Sequence, residues 1–313
     1  MERPATDLLT TQPAKQPTRS RWRGRLIALL VLYLIWIAMT VFGPLTDHFV
    51  LIPTTHPIKM PGIRSEMIAT PVGMIEVWRG RDTNRDRAWD DIEPAAYVLE
   101  FTGNGTRAEE IADYAAYKFR PHAVEVWAMN FPGYGKSEGP ARLAKIPPAA
   151  LAVFDELKKR AGGKPIFVAG NSLGTSAALY VAANREVTGV VLTNPPALRQ
   201  LIRGHFGWWN LWLLSTPASL GIPRELDSIA NAQKCTAPAV ILTSTRDEIV
   251  PYRYQQMVAD AYAGPKALRS RDALHNDSFE GNDSIWLREQ VDAIWRDAPP
   301  TKTNTADKPI ADR

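Results

Sequence analysis

One cysteine, Cys235, is all this chain carries, which excludes an intrachain disulfide and a metal centre of the cysteine-cluster type. Five histidines, His48, His56, His122, His205 and His275, show no H-x-x-x-H spacing, so no metal site is expected. Nothing in the residues implies a cofactor. Net charge is only +4, and the body of the chain has no basic stripe interleaved with aromatics, so nucleic acid is not an expected partner. Internal repeats are absent as well. What remains, 313 residues with 45% hydrophobic and 22% charged, suits one globular domain of roughly 200–250 residues with appendages.

Charge is missing altogether between residues 26 and 46, where the chain reads LIALLVLYLIWIAMTVFGPLT. That length is near the ~20 residues that cross a bilayer. A buried core helix would show a polar face, and this run has none. A cleaved signal peptide would have a shorter apolar region and small residues at its cleavage site; Ala38-Met39-Thr40 fits that poorly. The run therefore reads as an uncleaved signal-anchor. Lys15, Arg19, Arg21, Arg23 and Arg25 precede it, so the positive-inside tendency predicts a cytoplasmic N-terminus and a following domain on the extracytoplasmic side, periplasmic in a bacterium. The expected organisation is a disordered basic tail over 1–25, the transmembrane helix over 26–46, a proline-marked linker over 47–69, a folded domain over 70–297 and a disordered tail over 298–313.

Within 70–297, strand and helix signals alternate. Apolar strands are expected at 96–101, 124–130, 166–169, 189–193 and 239–243, an alternating antiparallel strand at 74–78, and a short last strand at 266–270. Helices are expected at 108–119, 148–160, 175–183, 252–263 and 283–295. Such alternation predicts an α/β fold with a mostly parallel sheet covered on both faces. Active sites in such sheets lie beyond the carboxyl ends of the strands.

Gly170-Asn171-Ser172-Leu173-Gly174 has the form G-x-S-x-G and falls between the apolar strand 166–169 and a small-residue helix. In that context the serine stands on a sharp strand-to-helix turn as an exposed nucleophile. An acid and then a base should follow in sequence, each after a strand. Asp247, with Glu248 as its neighbouring alternative, follows strand 239–243, and His275 follows strand 266–270. The gap between Asp247 and His275 holds one helix and one short strand. Ser172 would attack an acyl carbon, His275 would take its proton, and Asp247 would orient the imidazole. The oxyanion would need two fixed donors. The backbone N–H groups of Leu173 and, from the Thr102-Gly103-Asn104-Gly105 loop after strand 96–101, of Asn104 are the expected pair.

Taken together, these residues resemble the α/β-hydrolase superfamily over about 70–297. The segment Phe131-Pro132-Gly133-Tyr134-Gly135-Lys136-Ser137-Glu138-Gly139 is similar to the R-G-Y-G-x-S-x-G segment of the membrane-anchored Bem46-like serine hydrolases. Thr102-Gly103-Asn104-Gly105 resembles their H-G-N-x loop, and Asp247-Glu248-Ile249-Val250-Pro251 their D-x-x-V-P acid loop. Thr102 stands where that branch has His, and Pro132 where it has Arg. The resemblance implies an eight-stranded α/β-hydrolase sheet, helices on both faces, a small helical cap and an N-terminal transmembrane helix.

The cap is expected at 195–235, a segment rich in apolar residues. Phe206, Trp208, Trp209 and Trp212 are its candidate lid residues, either lining an acyl pocket, touching the bilayer or packing on the sheet. The expected function is a membrane-anchored serine hydrolase cleaving carboxylic esters, lipid-like or acyl, through an acyl-enzyme. A thioesterase, an acyltransferase and a non-catalytic membrane-tethered module of hydrolase fold are the alternatives.

Overall fold

The computed structural model describes residues 19–81, 93–278 and 280–297. The expected disorder over 1–18 and 298–313 lies outside these residues.

Eight strands form one sheet in the order β1-β2-β4-β3-β5-β6-β7-β8. β1 (Arg64–Thr70), β2 (Gly73–Arg81) and β4 (Val124–Met129) pair antiparallel. From β4 onward, β3 (Ala96–Phe101), β5 (Ile166–Asn171), β6 (Gly189–Thr193), β7 (Ala239–Ser244) and β8 (Lys266–Arg271) run parallel. The registers Phe101↔Gly170, Asn171↔Thr193 and Ser244↔Arg271 bring the carboxyl ends of β3, β5, β6, β7 and β8 to one edge.

Central strands are apolar on both sides because both sides are buried, and their two-residue period splits them between two cores. Leu99, Phe101, Val168, Leu192 and Ile241 face α4 (Ile146–Ala161), α5 (Leu173–Asn184) and α9 (Tyr252–Ala261). Val98, Phe167, Ala169, Val191 and Leu242 face α3 (Ala108–Tyr117) and α10 (Gly281–Asp297). Local signals bound α4 on both sides. Pro147 and Pro148 open it where no N–H is needed, Lys158, Lys159 and Arg160 occupy its last turn, and Gly162 caps it at φ 58°. Arg160 also lies over the fully buried Trp127 ring, 4.8 Å from its centroid.

Between β6 and β7 the chain builds a small helical cap from α6 (Leu198–His205), α7 (Ser215–Leu220) and α8 (Ser228–Ala232). The N-terminal apolar helix α1 (Arg19–Val41) contains a candidate membrane span, Trp22–Val41, of 20 residues. Trp22 through Leu32 are exposed, whereas Thr40 is buried against the domain.

Expected boundaries differ here in three respects. The helix starts at Arg19 rather than 26, because arginine extends a helix well, so 19–25 is not a disordered tail. It stops at Val41, short of 46, as Gly43-Pro44 follows and proline has no N–H to continue the ladder. The presumed linker 47–69 holds most of α2 (Leu45–Val50) and of β1. β1 escaped notice because it is an exposed edge strand with only Ile68 buried, its charges blunting the edge.

Candidate active site

β5 enters the sheet edge as a buried apolar run and ends at Asn171. Ser172 follows at φ 50°, ψ −124°, a conformation costly for a residue with a Cβ, and α5 begins immediately after it. The turn is held by the Ser172 N–H on the Thr193 carbonyl, 2.8 Å, and by the Thr175 N–H and hydroxyl on the Ser172 carbonyl, 2.9 and 2.7 Å. Both glycines of the pentapeptide are needed for close approach. A Cβ on Gly170 would lie 2.7 Å from the Gly174 carbonyl, and one on Gly174 would lie 2.2 Å from the Phe101 carbonyl oxygen. Backbone therefore packs on backbone, and the head of α5 is pressed against the carboxyl end of β3.

That contact sets the two expected oxyanion donors. Leu173 is the first residue of α5, and Asn104 sits in the loop leaving β3. Among the described residues, neither N–H donates to a protein acceptor, and both residues line the same cavity as Ser172. Gly103 brings the loop near the serine: a Cβ there would be 3.7 Å from Ser172 Cβ. The Asn104 side chain fixes its own backbone, as Oδ1 accepts from the Ile52 N–H at 2.9 Å and the Tyr134 hydroxyl at 2.9 Å, while Nδ2 donates to the Val50 carbonyl. Tyr134, buried within the Pro132-Gly133-Tyr134-Gly135 motif, is thus a support for this loop. Burial pushes its phenol up to about 12. Thr102, in the same loop, is buried, and its hydroxyl finds no partner among the described residues.

Asp247 and His275 meet. His275 Nδ1 lies 2.6 Å from Asp247 Oδ2, with Asp247 buried. The carboxylate is held on all sides, with Oδ1 accepting from the Ile249 and Val250 N–H groups at 2.9 and 2.7 Å and Oδ2 also accepting from Gln255 Nε2 at 2.9 Å. Four donors on two oxygens match an acceptor-only carboxylate. They leave His275 Nδ1 as a donor and Nε2 as the acceptor. Glu248 is exposed. Of the other histidines, His122 pairs with Asp292 at 2.8 Å and stacks on Trp295, while His205 closes α6. Among the described residues no hydrogen bond joins Ser172 Oγ to His275. The serine is fixed by its turn and the Asp247–His275 pair by its own network.

Three positions escaped sequence reasoning. Asn194, at φ 49° just past β6, donates from Nδ2 to the His275 carbonyl at 3.0 Å and accepts at Oδ1 from Ser244 Oγ at 2.9 Å. It links the histidine loop to the strand that also holds the Ser172 N–H. Gln255 grips Asp247 and the Ser244 backbone N–H from inside α9. Arg271, buried at the end of β8, donates to the Asp277 and Ser278 carbonyls and so folds the histidine loop back. Burial, the largest influence on it, pulls its guanidinium below the ordinary value. The only local signal for any of them is Asn194, whose residue type tolerates positive φ.

Ser172 opens into a cavity of about 520 Å³ whose wall includes Leu198, Leu201, Ile202, Leu214 and Val250. Of the four lid candidates, Phe206 and Trp209 line it, but Trp208 and Trp212 do not. The segment turns tightly there, with Leu211 and Trp212 at φ 49° and 60°, so successive side chains diverge. None of the four packs on the sheet; all are 47% or more exposed. Four cavity residues come from the N-terminal helices, Trp36 of α1 and Thr46, Phe49 and Val50 of α2.

Residues 109–308 match the model of the alpha/beta hydrolase family. The chain is 25% identical over 211 residues to lysophosphatidylserine lipase ABHD12 of Macaca fascicularis, covering 62% of this chain and 52% of that protein. It is 24% identical over 235 residues to the lipase of the same name from Xenopus tropicalis, covering 68% and 60%. The chain thus spans little more than half the length of the curated relatives it matches. Among solved structures, Est1E from Butyrivibrio proteoclasticus superposes with a TM-score of 0.58 at 17% identity, over 74% of this chain and 99% of that one. The Pyrococcus furiosus esterase Pf2001 gives 0.58 at 17% identity over 79% and 97%. At these identities the structural likeness is one of fold.

Proposed function

The chain belongs to the alpha/beta hydrolase family, and from that premise we propose that it is a membrane-anchored serine ester hydrolase with Ser172, His275 and Asp247 as its catalytic triad. The observation that carries this reading is the 2.6 Å contact between His275 Nδ1 and Asp247 Oδ2, at the same sheet edge as a serine held at positive φ on an apolar cavity. A serine hydroxyl is a weak nucleophile until a base removes its proton. His275 Nε2 takes that proton as Oγ bonds to the acyl carbon. Asp247 holds the tautomer and stabilises the imidazolium that forms. The Leu173 and Asn104 N–H groups receive the oxyanion, a kind of stabilisation in which one donor is worth about 10²–10³ in rate. His275 then protonates the departing alcohol, and water, activated by the same imidazole, releases the acid from Ser172.

The substrate class is an acyl ester of lipid type. A wall of Leu, Ile, Phe and Trp side chains suits a hydrocarbon chain rather than a polar acyl group. The curated relatives carry the name of a lysophospholipid lipase, which agrees with that choice. Lys15, Arg19, Arg21, Arg23 and Arg25 before the apolar helix favour a cytoplasmic N-terminus with the hydrolase domain on the opposite side.

Labelling with a fluorophosphonate probe tests the mechanism. The wild-type chain labels, and Ser172→Ala does not. A well-folded wild type that fails to label removes the triad assignment and leaves the domain a tethered binding module, whereas a Ser172→Ala protein that still labels assigns the nucleophile to another residue.

A further inference from the structure

The apolar N-terminal helix does more than hold the domain near a membrane. Its last turns are built into the cap. Trp36 Nε1 donates to the Leu214 carbonyl at 3.2 Å, and its ring lies 6.0 Å from that of Phe49. The Thr46 hydroxyl joins the Thr40 carbonyl at 2.9 Å and the Ala218 carbonyl at 3.2 Å, tying α1, α2 and α7 together in a buried contact. The far end of α2 is bonded in turn to the candidate oxyanion loop, through the Asn104 side chain on the Val50 carbonyl and the Ile52 N–H. Asp47 pins α2 from the other side, accepting from the Leu143 N–H at 2.8 Å and Arg142 Nη1 at 3.0 Å.

Trp36 and Phe49 line the Ser172 cavity. Around its rim the cap exposes Phe206, Trp208, Trp209, Leu211 and Leu213, at 51–74% of their surface. A soluble surface rarely shows so much contiguous apolar area. The patch is continuous with α1, the one candidate membrane span among the described residues. Trp36 lies five residues before Val41, the end of that span, which places it roughly 7–8 Å inside the apolar layer at 1.5 Å per helical residue. That is below the headgroup level where tryptophan rings ordinarily sit, and the polar partner the indole N–H needs there is supplied by the cap, at the Leu214 carbonyl.

We propose that α1 and α2 form a wall of the acyl-binding cavity, and that the cavity is filled from the side, by the acyl chain of a lipid drawn out of the bilayer in which α1 stands. Trp36 and Phe49 are then specificity-determining residues, and the aromatic cap rests in the membrane surface. The proposal rests on the ester-hydrolase reading given above.

The test uses the full chain in phosphatidylcholine vesicles and compares kcat/KM for p-nitrophenyl palmitate with that for p-nitrophenyl butyrate. Trp36→Ala and Phe49→Ala are set beside Leu30→Ala, which alters the exposed half of the same helix away from the cavity. Fluorophosphonate labelling reports an intact Ser172 in each. The expected result is a palmitate-to-butyrate ratio reduced about tenfold or more in both cavity variants, the size of a lost apolar pocket contact, and unchanged in Leu30→Ala. A ratio unchanged in both cavity variants while labelling persists overturns the proposal. So does an equal fall in Leu30→Ala, which would make α1 a tether only. If Trp36→Ala loses labelling, Trp36→Leu supplies the same ratio with an apolar side chain retained. A wild type that neither labels nor turns over either ester fails the hydrolase reading itself, a result distinct from labelled protein with an unchanged ratio.

Discussion

Gly174→Ala puts one methyl carbon 2.2 Å from the Phe101 carbonyl oxygen and 2.5 Å from that of Thr102. Both neighbours are backbone, so no side chain can swing aside, and ordinary contact starts only at 3.4 Å. The head of α5 must retreat from the end of β3 by roughly 1 Å, and a misplacement of that size in a catalytic constellation costs on the order of 10²-fold in rate. Two decades correspond to about 2.7 kcal/mol of activation free energy. The moving element carries the Leu173 N–H, and the element it leaves carries the Asn104 N–H, so with these as the proposed oxyanion donors the loss falls on the step in which oxyanion charge develops. Steady-state hydrolysis of p-nitrophenyl butyrate by the full chain should show kcat reduced about 10²-fold with a smaller change in KM, the pattern of an interaction made in the transition state. Overpacking adds about 1–3 kcal/mol of destabilisation, visible as a lower Tm. A folded Gly174→Ala protein with wild-type kcat would refute the argument that this backbone contact sets the distance between the two donors. A loss confined to KM would refute it equally.

Two further outcomes follow from the network around the proposed triad. Asn194→Gly removes the side chain that joins the His275 carbonyl to Ser244 while keeping the left-handed backbone, and should lower kcat about tenfold and stability by about 1–3 kcal/mol. Asn194→Ala should be less stable still, by about 1–2 kcal/mol, because alanine at φ 49° adds strain; urea denaturation of the two variants gives the comparison, and equal stabilities would be evidence against that strain. On the alkaline side, burial raises the Cys235 thiol from 9.0 and the Tyr134 phenol from 10.0, each to about 12. The unfolded chain gives up these protons first, so their contribution is whole below pH 9.0 and is lost as the pH climbs toward 12. Cys235→Ala and Tyr134→Phe should each flatten the fall of stability over that range, as followed by urea denaturation at a series of pH values. An unaltered alkaline limb in both would contradict the assignment.

Much of the fold was open to sequence reasoning because buried parallel strands must be apolar on both sides. The runs at 96–101 and 189–193 are mostly apolar and too short for a typical helix, and the observed strands β3 and β6 match them end for end. β1 was hidden for the converse reason. Arg64, Ser65 and Met67 are exposed and Glu66 is half-buried, and only its pairing with β2 makes the segment a strand. The glycine–serine turn was legible because its geometry is dictated locally, by a residue at positive φ between two positions that have no room for a Cβ. Cap residues were legible only as composition. Their apolar character was plain, but which rings enter the cavity depends on the turn at Leu211 and Trp212.

What the sequence by itself determined is the chemistry available: a serine on a strained strand-to-helix turn, an acidic residue and a histidine after later strands, and an uncharged run long enough to enter a bilayer. Those follow from local sterics and from solvation, which act on neighbouring residues and short periods. Tertiary structure alone decided that Asn194, Gln255 and Arg271 hold Asp247 and the His275 loop in place, and that Trp36 and Phe49 belong to the cavity. Such contacts join positions far apart in the chain, and nothing in the residues next to Trp36 encodes the Leu214 carbonyl that receives its N–H.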